Sequence, residues 1–537
     1  MLIMVSPNGD SQNLTQTNAI KSQTGMVNDK WSEARRRLPL NLLSNSIWLL
    51  VNVVVGFWYT PFLIANLGVA VFGLIPLATS ITNYLALVTD GFNSAVSRYL
   101  QINLVRDDAH AANRTFNTGV AGGLIIFTII LPVAMVMSWL TPRIFNVPPG
   151  HEFDAQLLVL LTMLAFATTF LSSSFAVSSF AYHRFDLRLY VNIVRLGAQM
   201  GSLVLLFTLI PPRLWMVGVG IFLSSILLIL GHGIVWRHLT PNIKIQINLF
   251  DVSRLKELLH FSGWVLVNQA GTQLFLNIDL IVANLVFGAF VAGRYGAVLI
   301  FPIYLRMMLG TLSGFITPIV FTLYAQDDLA RLAYFCNLAV KFTGLAMALP
   351  IGIICGLAKP LLTLWLGPEY SDLSWLVVVL VGQLCINLAV VPLYPIQQAV
   401  NRVRLPGIVT FGTGVINAGL AISLAVWSGW GFISIAIAGA IVNTARNTVF
   451  TPIYAARVLK LPWHTFLPSM VNGVLGSVIV GALTYWAASM WPLMSWKLLV
   501  LIGLTSSGLY LVMAYFLGMN AKERNMLSSE IRLRLKL

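Results

Sequence analysis

Charge is scarce in this sequence: 9% of its 537 residues are Asp, Glu, Lys or Arg, against about 25% in a soluble domain. With 58% hydrophobic residues beside it, that shortage excludes a soluble globular protein and leaves a chain that crosses a membrane many times. Acids are the scarcer sign, 18 Asp and Glu facing 33 Lys and Arg for a formal net charge of +15. An excess of that size would suit nucleic acid, but the basic residues sit in short loops between apolar runs, which is how membrane topology is set. Cysteine is also sparse. Cys336, Cys355 and Cys385 lie inside apolar spans with neither metal-type nor redox-type spacing, so they read as small core residues. Residues 1–38 lack the apolar core of a signal peptide and read as a disordered cytoplasmic tail. Long external loops are missing too. The longest, Thr141–Gln156, carries His151, Glu152 and Asp154 with no companion acid, base or nucleophile, which argues against an embedded polysaccharide polymerase or ligase. No catalytic residue, metal ligand or cofactor is assigned.

What is present is a succession of about fourteen apolar stretches, each of about the 20 residues that a spanning helix needs. The expected fold is therefore an all-α polytopic membrane protein. Six spans fall in 39–238 and six in 261–456. Between them, 239–260 repeats Val252, Leu255, Leu258 and Leu259 at helical spacing beside Arg254, Lys256 and Glu257, the pattern of a helix on the cytoplasmic membrane surface. Two more spans occupy 457–518, and 519–537 is a basic tail. With both termini inside, roughly 27 of the 33 basic residues lie on the cytoplasmic side and about five outside. The halves repeat weakly: FLIANLGVAVFGL, followed by RDDAHAANR, matches LIVANLVFGAFVAGRYGAV, followed by QDDLARLAYFCN. Repeated halves are common in transporters with a site near the midplane.

Polar residues inside the spans line up. In LATSITNYLALVTDGFNSAVSRYL (Leu77–Leu100), Thr79, Asn83, Asp90, Ser94 and Ser97 share one stripe, with Ile81, Val88, Phe92, Ala95 and Tyr99 opposite. The second side is expected to meet lipid and the first a wet or protein-lined interior, because a charge at the bilayer centre costs about 2.5–3.5 kcal/mol on insertion scales. Asp90 and Arg98 are too far apart along the axis to pair within one helix. Span seven carries Asn268, Thr272 and Asp279 on a stripe widened by Gln269, Gln273 and Asn277. Span eight sets Arg306 in line with Gly310, Ser313 and Thr317; span five has Arg188, Asn192, Arg195, Gln199 and Ser202; span twelve has Asn443, Arg446 and Asn447. Lys341 lies near a span end and is expected to snorkel to the headgroups. Arg306 lies mid-span and does not admit that reading. Arginines outnumber acids in this set, and guanidinium groups bind phosphates bidentately. The cavity they outline suits an anionic cargo such as a diphosphate. Arg306, Arg98, Arg195, Arg446, Asn83 and Gln273 are its candidate substrate-binding residues. Asp279, Asp90, Asn268 and Thr272 are candidates for ion coupling.

NLGVAVFGL, DGFNSAVSRY, IFNVPPGHEFDAQ and NIDLIVANLVFGAFVAGRYGAV together resemble the polysaccharide-transporter (Wzx-type O-antigen flippase) family, part of the MOP superfamily that also holds MATE exporters and lipid II flippases. The resemblance runs from about Leu38 to Leu461 and centres on Asp279, a small–Phe–Gly element and Gly293-Arg294-Tyr295. It implies two six-helix lobes in a V, alternating access, and export of undecaprenyl-diphosphate-linked oligosaccharide units, with H+ or Na+ as coupling ion. It places the chain in a bacterial inner membrane, with membrane lipids and polysaccharide polymerase machinery as partners and no nucleic acid. Most family members have twelve spans. The two extra ones resemble the fourteen-span lipid II flippases and keep that substrate open, with a MATE-like small-molecule or ion antiporter as the further alternative.

The topology makes a direct prediction. In intact cells, a membrane-impermeant thiol reagent should label Gly150→Cys in the external connection and spare Ala521→Cys in the tail; labelling of Ala521→Cys would overturn the fourteen-span arrangement.

Overall fold

The computed structural model describes residues 40–525 apart from 42, 106–107, 183, 247–248, 254, 256–262, 492–494 and 517. Within these the protein is helical throughout, with no strand. In the first half, α1 is Leu43–Leu67, α2 Leu74–Val105, α3 Ala109–Ile144, α4 Glu152–Ala181, α5 Phe185–Leu209 and α6 Leu214–Leu239. In the second half, α7 is Gly263–Val298, α8 Ile300–Ala325 and α9 Leu329–Gly356. The interrupted span Pro368–Ala399 is α10, followed by α11, Arg404–Trp427, and α12, Ile433–Val458. The last two are α13, Leu467–Ser489, and α14, Trp496–Phe516. Thirteen segments among the described residues are long and apolar enough to cross a membrane. One of them, Leu266–Gly310, contains two crossings. Asp279 and Tyr295 would stand about 24 Å apart on a continuous helix, yet Tyr295 Oη donates to Asp279 Oδ2 over 3.0 Å. The chain folds back at Gly288, whose φ of 86° and ψ of 175° break the helix and favour glycine.

The sequence repeat has a structural meaning in both halves. Gly68 ends α1 with φ 78° and ψ 156°, nearly the conformation of Gly288, and each is followed five residues later by another glycine, Gly73 or Gly293. Those two glycines face each other across the halves. A Cβ on Gly73 would sit 2.6 Å from the Gly293 nitrogen, so backbone meets backbone with no side chain between. The Asp-Asp pairs of the repeat supply helix caps. Asp108 Oδ1 accepts from the Ala111 N–H at the start of α3 over 2.9 Å, and Asp328 Oδ1 from the Arg331 N–H at the start of α9 over 3.0 Å, each satisfying an otherwise orphaned donor.

Within the first half α4 packs along α6, α3 and α2, and within the second α7 packs along α11. The two halves meet mainly where α2 and the segment before it lie against α7. More bonds tie that end. The Asn146 backbone N–H donates to Asn284 Oδ1 over 2.9 Å and the Asn146 side chain to the Asn284 carbonyl over 2.6 Å. Trp365 Nε1 donates to the Phe57 carbonyl over 2.6 Å, and Tyr304 Oη to that of Asn52 over 2.7 Å. The seam reaches down to Asn83, whose amide donates to Asn277 Oδ1 over 2.9 Å.

Two expectations change. The apolar side of α2 does not meet lipid: Phe92 and Ala95 are buried, and Phe92 packs on Phe170 of α4 with ring centroids 5.9 Å apart. Lys341 does not snorkel; its Nζ donates to Glu523 Oε2 over 2.7 Å, with both side chains about nine-tenths buried. Span nine ends at Gly356, and Ala358–Trp365 forms a separate short helix. The stretch after α6 begins as an extended segment clamped to α3, where Asn113 and Asn117 exchange hydrogen bonds with the backbone at Asn242, Lys244 and Gln246 and Arg114 pairs with Asp251. Most of the amphipathic run expected there lies outside the described residues, as does the 1–38 tail.

The final pair, α13 and α14, is held to α9. A Cβ on Gly473 would lie 2.8 Å from Gly344 Cα, the close approach that small residues permit between helices in lipid. Tyr510 Oη donates to the Leu345 carbonyl over 2.9 Å. Removing one partner of a buried pair strands a charge and costs about 3–5 kcal/mol. Lys341→Met should accordingly lower thermal stability in detergent, while Lys341→Met with Glu523→Met should recover most of the loss; equal stability of the single variant and the parent would contradict this.

Candidate functional site

Two helices of the second half are broken where they face inward. In α10 the helical runs Ser374–Gly382, Leu384–Asn387 and Tyr394–Ala399 are separated by non-α turns. Pro392 and Pro395 lie in the stretch, and each removes a backbone donor. In α12 a π-turn at Arg446–Phe450 interrupts the helix just before Pro452, which cannot donate to the preceding turn. Such bulges collect at functional sites, and interrupted helices mark substrate sites in transporters.

The breaks border a cavity of about 390 Å³. Asn268 and Thr272 of α7, Arg306, Gly310 and Ser313 of α8, Asn387 and Tyr394 of α10, Thr410 of α11, and Asn443, Arg446 and Asn447 of α12 line it; among the described residues no Asp or Glu does. An amide network fixes its far wall. Asn447 Nδ2 donates to Asn387 Oδ1 over 3.0 Å and to Asn443 Oδ1 over 3.1 Å, and Asn447 Oδ1 accepts from Thr451 over 3.1 Å. One Arg446 N–H2 group donates to Asn443 Oδ1 over 3.3 Å, while its Nε is buried without a partner. The Arg446 guanidinium carbon lies 5.9 Å from the Phe275 ring centre. Arg306 is half-buried and makes no hydrogen bond or ion pair among the described residues; Asp279 is its electrostatic neighbour.

Asp279 itself stands behind the cavity wall. One carboxylate oxygen takes the Tyr295 hydroxyl, and the other, Oδ1, is buried with no partner. Nearby, Asn417 of α11 is fully buried with neither amide atom bonded. The missing side chain of Gly439 in α12 brings the two together: a Cβ there would lie 3.7 Å from Asn417 Oδ1 and 3.9 Å from Asp279 Oδ2. Tyr84 of α2 reaches in from the other half, its hydroxyl also buried and unpartnered. Buried polar atoms are rarely left without a hydrogen-bond partner, and here three residues of the two halves present such atoms around one carboxylate.

Of the residues selected from the sequence, Arg306, Arg446, Asn268 and Thr272 come together at the cavity. Asn83 and Gln273 do not: they form a seam chain in which Asn277 Nδ2 donates to Gln273 Oε1 over 2.7 Å. Arg98 is exposed on α2, remote from the cavity lining. Arg195 belongs to a separate basic cluster, with Arg188 and His232 as electrostatic neighbours, and His232 Nδ1 is 2.8 Å from Ser172 Oγ. Asp90 lies on α2, but its side chain is outside the described residues. Sequence reasoning missed Asn387, Asn417, Tyr84 and the bonding of Tyr295. Asn417, a lone amide in an apolar helix, carried a signal that was available.

A family model described as polysaccharide biosynthesis protein matches residues 41–324. The uncharacterized membrane protein EpsK of Bacillus subtilis (strain 168) is 30% identical over 496 residues, covering 92% of this chain and 98% of EpsK. Among solved structures, a MOP superfamily transporter from Pyrococcus furiosus matches with a TM-score of 0.59 at 14% identity, over 82% of this chain and 96% of that one. An inward-facing multidrug resistance MATE family transporter matches at 0.57 and 14% identity, over 80% and 94%. The lipid II flippase MurJ in an inward closed conformation matches at 0.51 and 13% identity, over 87% and 99%. At these identities the structural likenesses establish the fold alone, a MATE-like arrangement of helices. The sequence matches go further, and the chain belongs to the polysaccharide biosynthesis protein family.

Proposed function

We propose that this protein moves undecaprenyl-diphosphate-linked oligosaccharide units across a bacterial inner membrane by alternating access, driven by an ion gradient. The observation that carries the reading is the pair Arg306 and Arg446 on one intramembrane cavity with no acid among the described residues of its lining. Two guanidinium groups at membrane depth require an anion, and a planar fork matches the oxygens of a diphosphate. A cationic drug would be repelled from the same walls. At about 390 Å³ the cavity accommodates the diphosphate and its adjoining sugar, leaving the rest of the headgroup in the cleft and the polyprenyl tail in lipid. The charge bias puts the Asn146–Asn284 end outside, so a seam closed at that end corresponds to a state shut toward the outside. Flipped units would then pass to polymerising machinery at the outer face.

A lipid II-type cargo, the alternative that the resemblance keeps open, is the second reading. The two readings separate in one experiment. Depletion of the protein should cause a lipid-linked saccharide to accumulate on the inner leaflet, and its identity tells polysaccharide repeat unit from lipid II.

Arg306→Lys keeps the charge but loses the fork, and should lose part of the export; Arg306→Ala should lose most of it at normal protein level. The competing role, a structural counter-ion to Asp279 or Asp90, forecasts low protein level for Arg306→Ala and rescue of both level and transport when the correct Asp is neutralised as well. Rescue of transport by such a double variant would rule out direct cargo binding.

For the ion, the unpartnered Oδ1 of Asp279 and the unpartnered amide of Asn417 form the pocket that H+ or Na+ would enter. Asp279→Asn should leave expression near normal while transport in vesicles loses its dependence on the imposed gradient. Normal transport with unchanged ion dependence would reduce Asp279 to a structural role.

A further inference from the structure

The short helical stretch 289–298, between the Gly288 reversal and α8, holds two things at once. Tyr295, wholly buried, donates to Asp279 Oδ2 over 3.0 Å. Two residues earlier, Gly293 lies against the Val69 carbonyl and the Gly73 backbone of the other half, and one residue later Gly296 packs so that a Cβ would meet Pro76 Cγ at 2.8 Å. Arg294, between them, is tied to the outer turn of α10 through the Glu369 carbonyl, 3.0 Å away, and an ion pair with Asp372. The acid and the inter-lobe contact are therefore gripped by adjacent turns of one rigid helix.

We propose that Tyr295 is the positioning residue through which the charge state of Asp279 reaches the Gly73–Gly293 seam, so that a cation arriving at Asp279 changes how readily the outer end separates. The inference rests on the ion-coupled transport reading above. A tyrosine hydroxyl bonds a free carboxylate more strongly than a neutralised one, because the bond is charge-assisted. When a cation or proton takes up the carboxylate charge, Tyr295 loses part of its hold and the stretch carrying Gly293 is freed. The seam amplifies a small shift because glycine backbones in contact have no side chains to absorb it. The groups facing the carboxylate come from every surrounding element: Tyr84 of α2, Arg306 of α8, Asn417 of α11 and side-chainless Gly439 of α12. Buried carboxylate oxygens are as a rule hydrogen-bonded, yet Asp279 Oδ1 has no partner among the described residues. That free oxygen gives an arriving cation its place while Tyr295 keeps the other.

The test uses the full chain in lipid nanodiscs, with Cys336, Cys355 and Cys385 replaced by Ala and spin labels at Ala65→Cys and Phe290→Cys, two exposed positions beside the reversals. Inter-label distances are measured with and without Na+ and across pH. The parent should shift its ratio of sealed to separated molecules with one of these cations. Tyr295→Phe keeps the ring and its packing but loses the hydroxyl, and the cation-induced shift should shrink by about tenfold, the worth of a hydrogen bond to a charged group. Asp279→Asn should abolish the shift, and adding Tyr295→Phe to it should change nothing further, since the two act as one unit. A Tyr295→Phe protein that responds like the parent overturns the proposal. So does one that never seals while Asp279→Asn still responds, for Tyr295 would then only pack. A parent that responds to neither Na+ nor pH overturns the ion-coupled reading itself, and the inference falls with it.

Discussion

Two glycines that touch without side chains between them set the relation of the two halves. Gly73 and Gly293 allow the start of α2 and the stretch before α8 to cross at backbone distance, and everything else at that end is arranged around the approach. The reversals at Gly68 and Gly288, five residues earlier in each half, aim the two arms at each other with nearly the same φ and ψ. The Asn146–Asn284 and Asn83–Asn277 bonds then zip the seam on either side. Hydrocarbon offers no substitute partners for such polar groups, so a seam closed by amides holds strongly when shut and needs an aqueous cleft when open. That is the physical requirement of a two-state gate.

The same requirement separates the charges that are paired within the fold from those that face the cavity. Lys341 has Glu523, Arg294 has Asp372, and Arg114 has Asp251. Arg306 has no ion-pair partner among the described residues, and neither does Arg446, whose Nε is buried and unbonded. Intramembrane arginine is costly and is held facing a protein interior or a water-filled cavity, as both of these are. The broken stretches of α10 and α12 are part of the same design. Backbone freed from helical bonding is tolerated at membrane depth only where it is buried in protein or lines a cavity, and here both breaks lie on the cavity wall.

Much of this was legible beforehand, and the divisions are physical. Helix number and class followed from the length of apolar runs, and the stripe holding Asn268 and Thr272 in α7 followed from a 100° periodicity. Arg306 stood out because nothing at mid-span explains a charge except a partner or a cavity. Arg98 and Arg195 were selected beside it, since periodicity gives a face but not what that face meets. The face of α2 was read inversely for that reason: Phe92 and Ala95 are apolar whether they meet lipid or Phe170, and lipid and protein interior are equally apolar. Asn83 and Gln273 were selected as cavity residues, but Asn83 bonds across the seam to Asn277, which in turn bonds Gln273 one turn away in its own helix, a distinction that depends on Asn277 being opposite Asn83. The break in α10 could be suspected from Pro392 and Pro395 but not placed, because tertiary packing decides which freed carbonyls can be satisfied.

Asp279 shows what the two kinds of reading yield together. The sequence marks it as an acid in an apolar span. Three-dimensional packing adds that one of its oxygens is committed to Tyr295 and the other to nothing, that an unbonded Asn417 stands beside it, and that Arg306, on the cavity, is the nearest source of positive potential. An acid in that position interacts with the cargo cavity through Arg306 and with the inter-lobe seam through Tyr295. Neutralising it lessens the competition for Arg306 and loosens Tyr295 in the same event. On the proposed reading such coupling is reciprocal, so an anionic cargo that drew Arg306 away would also alter the affinity of Asp279 for a cation. Ion and cargo would then influence one another without sharing a site, through one arginine and one tyrosine set on either side of a single carboxylate.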